Sequence, residues 1–198
     1  MKKWIIGVDE VGRGPIAGPV MVCACAFNPD TRRRLSFLGL TDSKKMTLKA
    51  REAWFEKAKM WEEKGIIKYA LAKRSSIVID RCGISRAIKE CVGEVLEKLC
   101  ITPTDTQVLL DGSLYAPAEY TNQKTVIKGD AKHKEISLAS VIAKVTRDRL
   151  MEQLHKKYPS YLWFKNKGYG TKEHFLALQK DGKTTVHRST FLLKKGNC

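Results

Sequence analysis

Histidine is scarce in this chain: four in 198 residues, with no two at HxxxH spacing, which argues against a histidine-ligated metal centre. The six cysteines, at 23, 25, 82, 91, 100 and 198, form no CxxC pair. That pattern excludes a zinc knuckle or a disulfide framework and reads as small buried residues of a reducing compartment. No apolar run approaches the ~18 residues of a membrane-spanning helix, and the apolar stretch before Asp9 is too short for a signal peptide. A cytoplasmic location is therefore expected. No internal repeat, low-complexity segment or linker interrupts the sequence, so residues 1–198 read as one domain. Acidic residues are also in short supply. Against 37 Lys and Arg stand 21 Asp and Glu, a net charge of +16, the footprint of a protein that binds a polyanion.

In so basic a chain the placement of the acids is informative. Ile5-Ile6-Gly7-Val8 leads into Asp9 and Glu10, and Val11-Gly12-Arg13-Gly14-Pro15 follows at once. An extended segment thus delivers two carboxylates to a glycine turn. Neighbouring side chains on a strand point to opposite faces, so Asp9 and Glu10 are expected to converge through a strand end or bulge. The glycines leave main-chain N–H groups open to a ligand, and Arg13 adds a donor fork suited to phosphate.

The apolar run Val20 to Phe27 predicts a buried strand pairing back on residues 3–9. Arg32, Arg33 and Arg34 read as a solvated loop or a phosphate contact, the loop being favoured. Leu40-Thr41-Asp42-Ser43-Lys44-Lys45 is a polar turn before a helix predicted from Thr47 to Lys64. A strand is expected from Ile66 to Ala72 and an amphipathic helix from Ser85 to Leu99. A short strand from Gln107 to Leu110 ends on Asp111-Gly112, and another from Thr125 to Lys128 leads through Gly129-Asp130 into a basic loop. From Glu135 to Lys157 the pattern is helical, with Ser140, Lys144 and Asp148 on one polar stripe. The tail from about 158 reads as a helical extension. It is aromatic, then basic and flexible around Lys165 to Gly170, where Tyr169 stands between two glycines as a ring that a base or sugar could stack on.

Asp9, Glu10, Asp111 and Asp148 are the candidate acids. An all-oxygen set favours Mg²⁺ or Mn²⁺, and two such ions can drive in-line phosphodiester hydrolysis. With the positive surface, this composition suits a nuclease.

The motifs as a set closely resemble the bacterial type 2 ribonucleases H. The matching blocks are Gly7-Val8-Asp9-Glu10-Val11-Gly12-Arg13-Gly14-Pro15, Leu40-Thr41-Asp42-Ser43-Lys44, Leu110-Asp111-Gly112, Ala139-Ser140-Val141-Ile142-Ala143-Lys144-Val145-Thr146-Arg147-Asp148, Lys167-Gly168-Tyr169-Gly170-Thr171 and His187-Arg188. The resemblance implies an α/β, RNase H-like fold: a mixed five-stranded sheet flanked by helices, with a C-terminal helical extension. It implies Mn²⁺- or Mg²⁺-dependent cleavage of RNA in RNA–DNA hybrids, and nicking on the 5′ side of single ribonucleotides in duplex DNA to leave 3′-hydroxyl and 5′-phosphate ends, as in ribonucleotide excision repair. Asp9, Glu10, Asp111 and Asp148 would be the metal-binding catalytic acids. The main chain of Gly12, Arg13 and Gly14 would sense the 2′-hydroxyl, Tyr169 would stack at the RNA-to-DNA junction, and Ser43, Lys44, Ser140 and Lys144 would contact the backbone. The related type 3 enzymes usually have threonine at the position of Arg13 and an extra N-terminal domain. No clamp-binding box is evident in the tail, no membrane association is expected, and a monomer is implied.

Overall fold

The computed structural model describes residues 3–193, the side chain of Thr31 excepted; Cys198 lies outside that range. Five strands form one sheet in the order β3-β2-β1-β4-β5. The strands are β1 (Trp4–Val11), β2 (Val20–Phe27), β3 (Ile67–Arg74), β4 (Thr106–Asp111) and β5 (Gln123–Val126). β1, β2 and β3 make an antiparallel meander, whereas β4 and β5 run parallel to β1. The mixed five-stranded sheet expected from the sequence is what the chain forms.

Period-two alternation assigns the layers. Ile6, Val8, Val20, Val22, Ala24 and Ala26 face a core built with helix α4 (Ile84–Lys98), whose Ile88, Cys91, Val92, Val95 and Leu96 are buried. Cys23, Cys25 and Phe27 face the other side. There α2 (Leu48–Glu63) supplies Trp54, Phe55, Ala58 and Trp61, and the long helix α6 (Lys134–Lys157) supplies Leu138, Ala139, Val141, Ile142 and Ala143. Helix α2 starts where Thr47 Oγ1 accepts the Ala50 N–H at 3.2 Å, an ordinary N-cap.

Gly7 lets α6 lie directly on β1. A Cβ at this position would fall 2.1 Å from the carbonyl carbon of Glu135 and 2.3 Å from the nitrogen of Ile136. From that contact the helix runs along β1 toward its C-terminal end. From Glu135 to Ala143, two and a half turns, it is buried on every side, Ser137 included, so the narrow apolar stripe expected from periodicity is too small a description.

Several local expectations are corrected. β5 ends at Val126, because Lys128 takes a left-handed conformation (φ 55°) and turns the chain into a short helix, α5 (Gly129–Lys132). Pro29–Arg32 is a single helical turn, α1, and Arg32 pairs with the buried Glu135. Arg32 is thus tied down by an ion pair, whereas Arg33 and Arg34 lie in an exposed turn, in keeping with the favoured loop reading. Helix α3 (Ser76–Cys82), capped by Ser75, fills a stretch in which periodicity predicts no element. The tail is ordered through α7 (Trp163–Asn166), α8 (Lys172–Asp181) and α9 (Ser189–Leu193). Tyr161, Trp163 and Ala177 pack there on Ala17 and Met151.

Candidate active site

The β1–β4 pairing ends at Val8 and Leu110, whereas β1 continues beside β2 to Val11 opposite Met21. Asp9 and Asp111 are each one residue past the last parallel pair and so stand at the same level. No bulge is needed to gather the acids: β1 carries Asp9 and Glu10 on opposite faces, and both lie within electrostatic reach of Asp111. Asp9 is 7% exposed. Burial pushes its carboxyl well above the ordinary value; the Ser140 hydroxyl opposes that, and the charges of Glu10 and Asp111 add to it. Glu10 is also raised, by burial first and by Asp111, with Arg13 pulling the other way from 3.5 Å.

Two further elements complete the cluster. The Gly129 N–H donates to Asp111 Oδ1 at 2.6 Å, which puts α5 at the end of β4 and brings Asp130 within the field of Asp111. Asp130 is buried, and burial, Asp42 and Asp111 all raise its carboxyl. The loop from Leu40 to Met46 covers this corner. Lys134 Nζ donates to the Leu40 carbonyl at 2.5 Å, and the Ser43 and Ser140 hydroxyls meet at 2.9 Å. Since Ser140 donates to Asp9, Ser43 is the donor to Ser140, and the two hydroxyls form a chain ending on the carboxylate.

Asp148, read from the sequence as the fourth acid, is engaged elsewhere. Its Oδ1 accepts from Lys144 Nζ at 2.8 Å. Eight residues separate it from Ser140, two turns and about 12 Å along the helix axis, so the i, i+4 stripe carries it past the cluster. The carboxylate within the field of Asp111 is Asp130, carried on the short helix α5 that follows β5, whereas Asp111 is the last residue of β4. The sequence signal was available: a short strand followed by Gly-Asp, one residue order removed from Asp-Gly. Lys144 is half-buried, and desolvation lowers its ammonium despite Asp148. Lys44 is exposed at the cover loop.

Among the described residues no three acidic, histidine or cysteine side chains are drawn together into a closed metal cage. The donor set nonetheless suits a hard divalent ion. Magnesium-like ions bind through one or two carboxylates and keep water and phosphate oxygens for their other positions, and the burial and, after it, the mutual repulsion that raise Asp9, Glu10 and Asp130 are what such a charge would offset.

Beyond the acids, Gly12 has φ +87°, and a Cβ there would meet Arg147 Nε at 2.3 Å and the Pro19 carbonyl at 2.7 Å. Only glycine suits that position. Arg13 and Gly14 are exposed. Tyr169 is 49% exposed, and a Cβ on Gly14 would stand 3.6 Å from its Cε1, so turn and ring form one surface. Two fully buried arginines that charge arguments would assign to the surface hold this region. Arg147 donates to the carbonyls of Pro19 (2.9 Å), Lys167 (2.9 Å) and Ala17 (3.3 Å). Arg188 donates to those of Gly12 (2.6 Å), Arg13 (3.0 Å) and Gly18 (3.0 Å).

A family model described as Ribonuclease HII matches residues 6–194. The chain belongs to the ribonuclease HII family. A Ribonuclease HII of Prochlorococcus marinus is 44% identical over 189 residues, covering 96% of this chain and 88% of that one. One from Enterococcus faecalis is 43% identical over 190 residues, covering 96% and 69%. Among solved structures, the ribonuclease H2 of Pyrococcus horikoshii superposes with a TM-score of 0.74 at 26% identity, covering 94% of this chain and 93% of that one. The ribonuclease HII of Archaeoglobus fulgidus, solved in complex with PCNA, gives 0.73 at 25%, covering 93% of each. A type 3 enzyme solved with Mn²⁺ gives 0.70 at 18% identity over 98% of this chain and 68% of its own, a likeness of fold. As a member of this family, the chain is a divalent-metal-dependent hydrolase of RNA in RNA–DNA hybrids, with an RNase H-like fold. Among the described residues no helix is long and apolar enough to cross a membrane.

Proposed function

We propose that this ribonuclease HII also nicks duplex DNA on the 5′ side of a single embedded ribonucleotide, leaving 3′-hydroxyl and 5′-phosphate ends, as a monomer serving ribonucleotide excision repair in the cytoplasm. The observation that carries the reading is the surface shared by the acid cluster, the Gly12-Arg13-Gly14 turn with its exposed Arg13 and Gly14, and the Tyr169 ring. A ribose seated on the turn would have its neighbouring phosphate at the carboxylates and its 3′ neighbour against the tyrosine.

Asp9, Glu10 and Asp111 would hold Mg²⁺ or Mn²⁺, with Asp130 rather than Asp148 as the fourth carboxylate. Divalent ions bound there, two for this reaction, supply an activated water and neutralise charge on the leaving 3′ oxygen. The chain's own residues do the rest. Ser140 and Ser43 orient Asp9 through their hydroxyl chain and favour its ionised form against the effect of burial. Arg13, with its guanidinium near Glu10 and Ser113, presents a fork to phosphate beside the turn. Lys44 and the half-buried Lys144 would meet the backbone on either side. Tyr169 would stack where RNA gives way to DNA, a contact that every base offers through its π face.

The test is a duplex carrying one ribonucleotide, incubated with the purified chain and Mg²⁺ or Mn²⁺. A nick 5′ of that nucleotide, lost on chelation, on replacing the ribonucleotide by its deoxy counterpart and in Asp111→Asn, is the expected result. Cleavage restricted to long hybrids would refute the single-ribonucleotide reading. Tyr169→Ala should lose more on the single ribonucleotide than on the long hybrid.

A further inference from the structure

We infer that Arg188 is a positioning residue for ribose recognition: by holding the carbonyls of Gly12 and Arg13 from inside the protein, it turns the N–H groups of Arg13 and Gly14 outward. The inference rests on the reading that this turn senses the 2′-hydroxyl, and it names what aims the sensor.

The argument starts from the peptide unit. In a trans peptide the C=O and the following N–H lie in one plane and point in opposite directions, and among the described residues no peptide is cis. Arg188 takes the Gly12 carbonyl through Nη2 at 2.6 Å and the Arg13 carbonyl through Nη1 at 3.0 Å. Two successive peptide planes are thereby fixed with their oxygens inward, so the N–H groups of residues 13 and 14 are directed to the opposite side. Arg13 and Gly14 are exposed whereas Arg188 is fully buried. Two consecutive outward donors form a small concave site for one oxygen, which suits a hydroxyl acceptor on a ribose.

The guanidinium is itself immobilised. Nε donates to the Gly18 carbonyl at 3.0 Å, and the Arg188 N–H donates to the Ile16 carbonyl at 2.8 Å. Its Cζ lies 5.1 Å from the centre of the Phe191 ring. Asp80 accepts the N–H groups of Ser189 (2.8 Å) and Thr190 (3.0 Å), tying the start of α9 to α3. All three guanidinium nitrogens donate to the segment around the turn, none to a carboxylate among the described residues, so a buried charge is spent on backbone carbonyls. A lysine cannot replace it, because three divergent acceptors require the planar fork.

The experiment compares the unmodified chain with Arg188→Lys and Arg188→Ala on a single-ribonucleotide duplex under single turnover. The expected result is a rate about 10²-fold lower, the cost of misplacing a reacting group by roughly 1 Å, with the Kd for the duplex unchanged, and partial rescue of Arg188→Ala by added guanidinium ion. Equal losses of affinity and rate, or an unchanged rate, would overturn the inference. If both variants fail to fold, amide NMR of the unmodified chain decides: the Arg13 and Gly14 N–H groups should exchange freely with solvent while remaining rigid, with order parameters of about 0.85, and values below ~0.6 would overturn it. The same spectra, recorded with chelator, separate the two layers of the reading. Arg13 and Gly14 amides that respond alike to ribonucleotide and all-deoxy duplexes would refute the sensing turn itself. Amides that discriminate, and still do so in Arg188→Lys, would refute the role of Arg188 alone.

Discussion

At the scale of residues, the carboxylates differ in how they are held, and this separates their expected effects. Asp111 is fixed by the Gly129 N–H and lies within reach of Asp9, Glu10 and Asp130, whereas Asp148 is ion-paired with Lys144. Asp111→Asn and Asp130→Asn should each lower the cleavage rate by about 10²-fold or more, as losing one group that stabilises charge in the transition state does. Asp148→Asn acts through Lys144 and the neighbouring Arg147 and should cost about tenfold, the lower end for a supporting group. Rates measured across a Mg²⁺ titration check this, and a larger loss in Asp148→Asn than in Asp130→Asn would restore the sequence's choice. The histidines give a second contrast. His187 Nδ1 accepts the Thr184 N–H at 2.9 Å, so its neutral ring carries the proton on Nε2 and donates to His174 Nε2 at 3.0 Å. His174 also accepts from Trp163 Nε1 at 3.1 Å, and its Nδ1–H donates to the Tyr169 carbonyl at 2.9 Å. Burial and the neighbouring His174 hold His187 at about 4, below the ~6.5 of an exposed histidine. The unfolded chain therefore takes up a proton as pH falls from about 6.5 to about 4 that the folded chain refuses. This share of the stability is complete above about pH 6.5 and is lost on acidification through that window. Urea midpoints measured from pH 7 to 4 should fall more steeply for the unmodified chain than for His187→Gln.

At the scale of elements, the site depends on how closely α6 approaches β1, and Gly7 sets that distance. Gly7→Ala places a methyl against the main chain of Glu135 and Ile136, which no side-chain rotation relieves. It should destabilise the fold by about 3 kcal/mol, the upper range for overpacking, and move Ser140 off Asp9. Urea denaturation measures the first effect and the loss of cleavage in the folded fraction the second. Element by element, legibility followed the range of the forces involved. The strands around residues 4–11 and 20–27 and the helices α2, α4 and α6 were readable because local alternation or 3.6-residue periodicity determines them. The end of β5 and helix α5 were not, because a left-handed Lys128 and the bond from Gly129 to Asp111 decide them, and neither has a local pattern. The Gly129-Asp130 pair is plain in the sequence, but its place beside Asp111 depends on that bond. The stripe of Ser140, Lys144 and Asp148 tells which face a residue occupies but not how far along the sheet that face carries it. Arg147 and Arg188 escaped notice as structural residues because charge normally implies exposure.

At the scale of the whole molecule, charge is divided between an acid cluster and a basic exterior. Many of the remaining acids are neutralised on outer faces: Glu52 and Glu56 by Arg149, Glu90 and Glu94 by Arg74, Glu152 by Lys167 and Glu173 by Lys165. With a net charge of +16, the surface supplies affinity for the phosphate backbone without reading sugar or sequence, while the cluster and the turn beside it supply the choice of bond. Affinity and chemistry should then respond to salt differently. If roughly 6–10 phosphates are contacted, the affinity for a duplex should fall about 10³–10⁵-fold between about 50 and 200 mM salt, with the same slope for all-deoxy and ribonucleotide-containing duplexes. The single-turnover rate at saturating protein should stay nearly constant over that range, because the bound ribose and scissile phosphate are held by fixed groups within Debye distance of one another. Fluorescence anisotropy gives the first slope and quenched-flow cleavage the second. A saturated rate that declined in parallel with affinity would mean that the basic surface acts in the chemical step itself, and the division between binding and selection would fail.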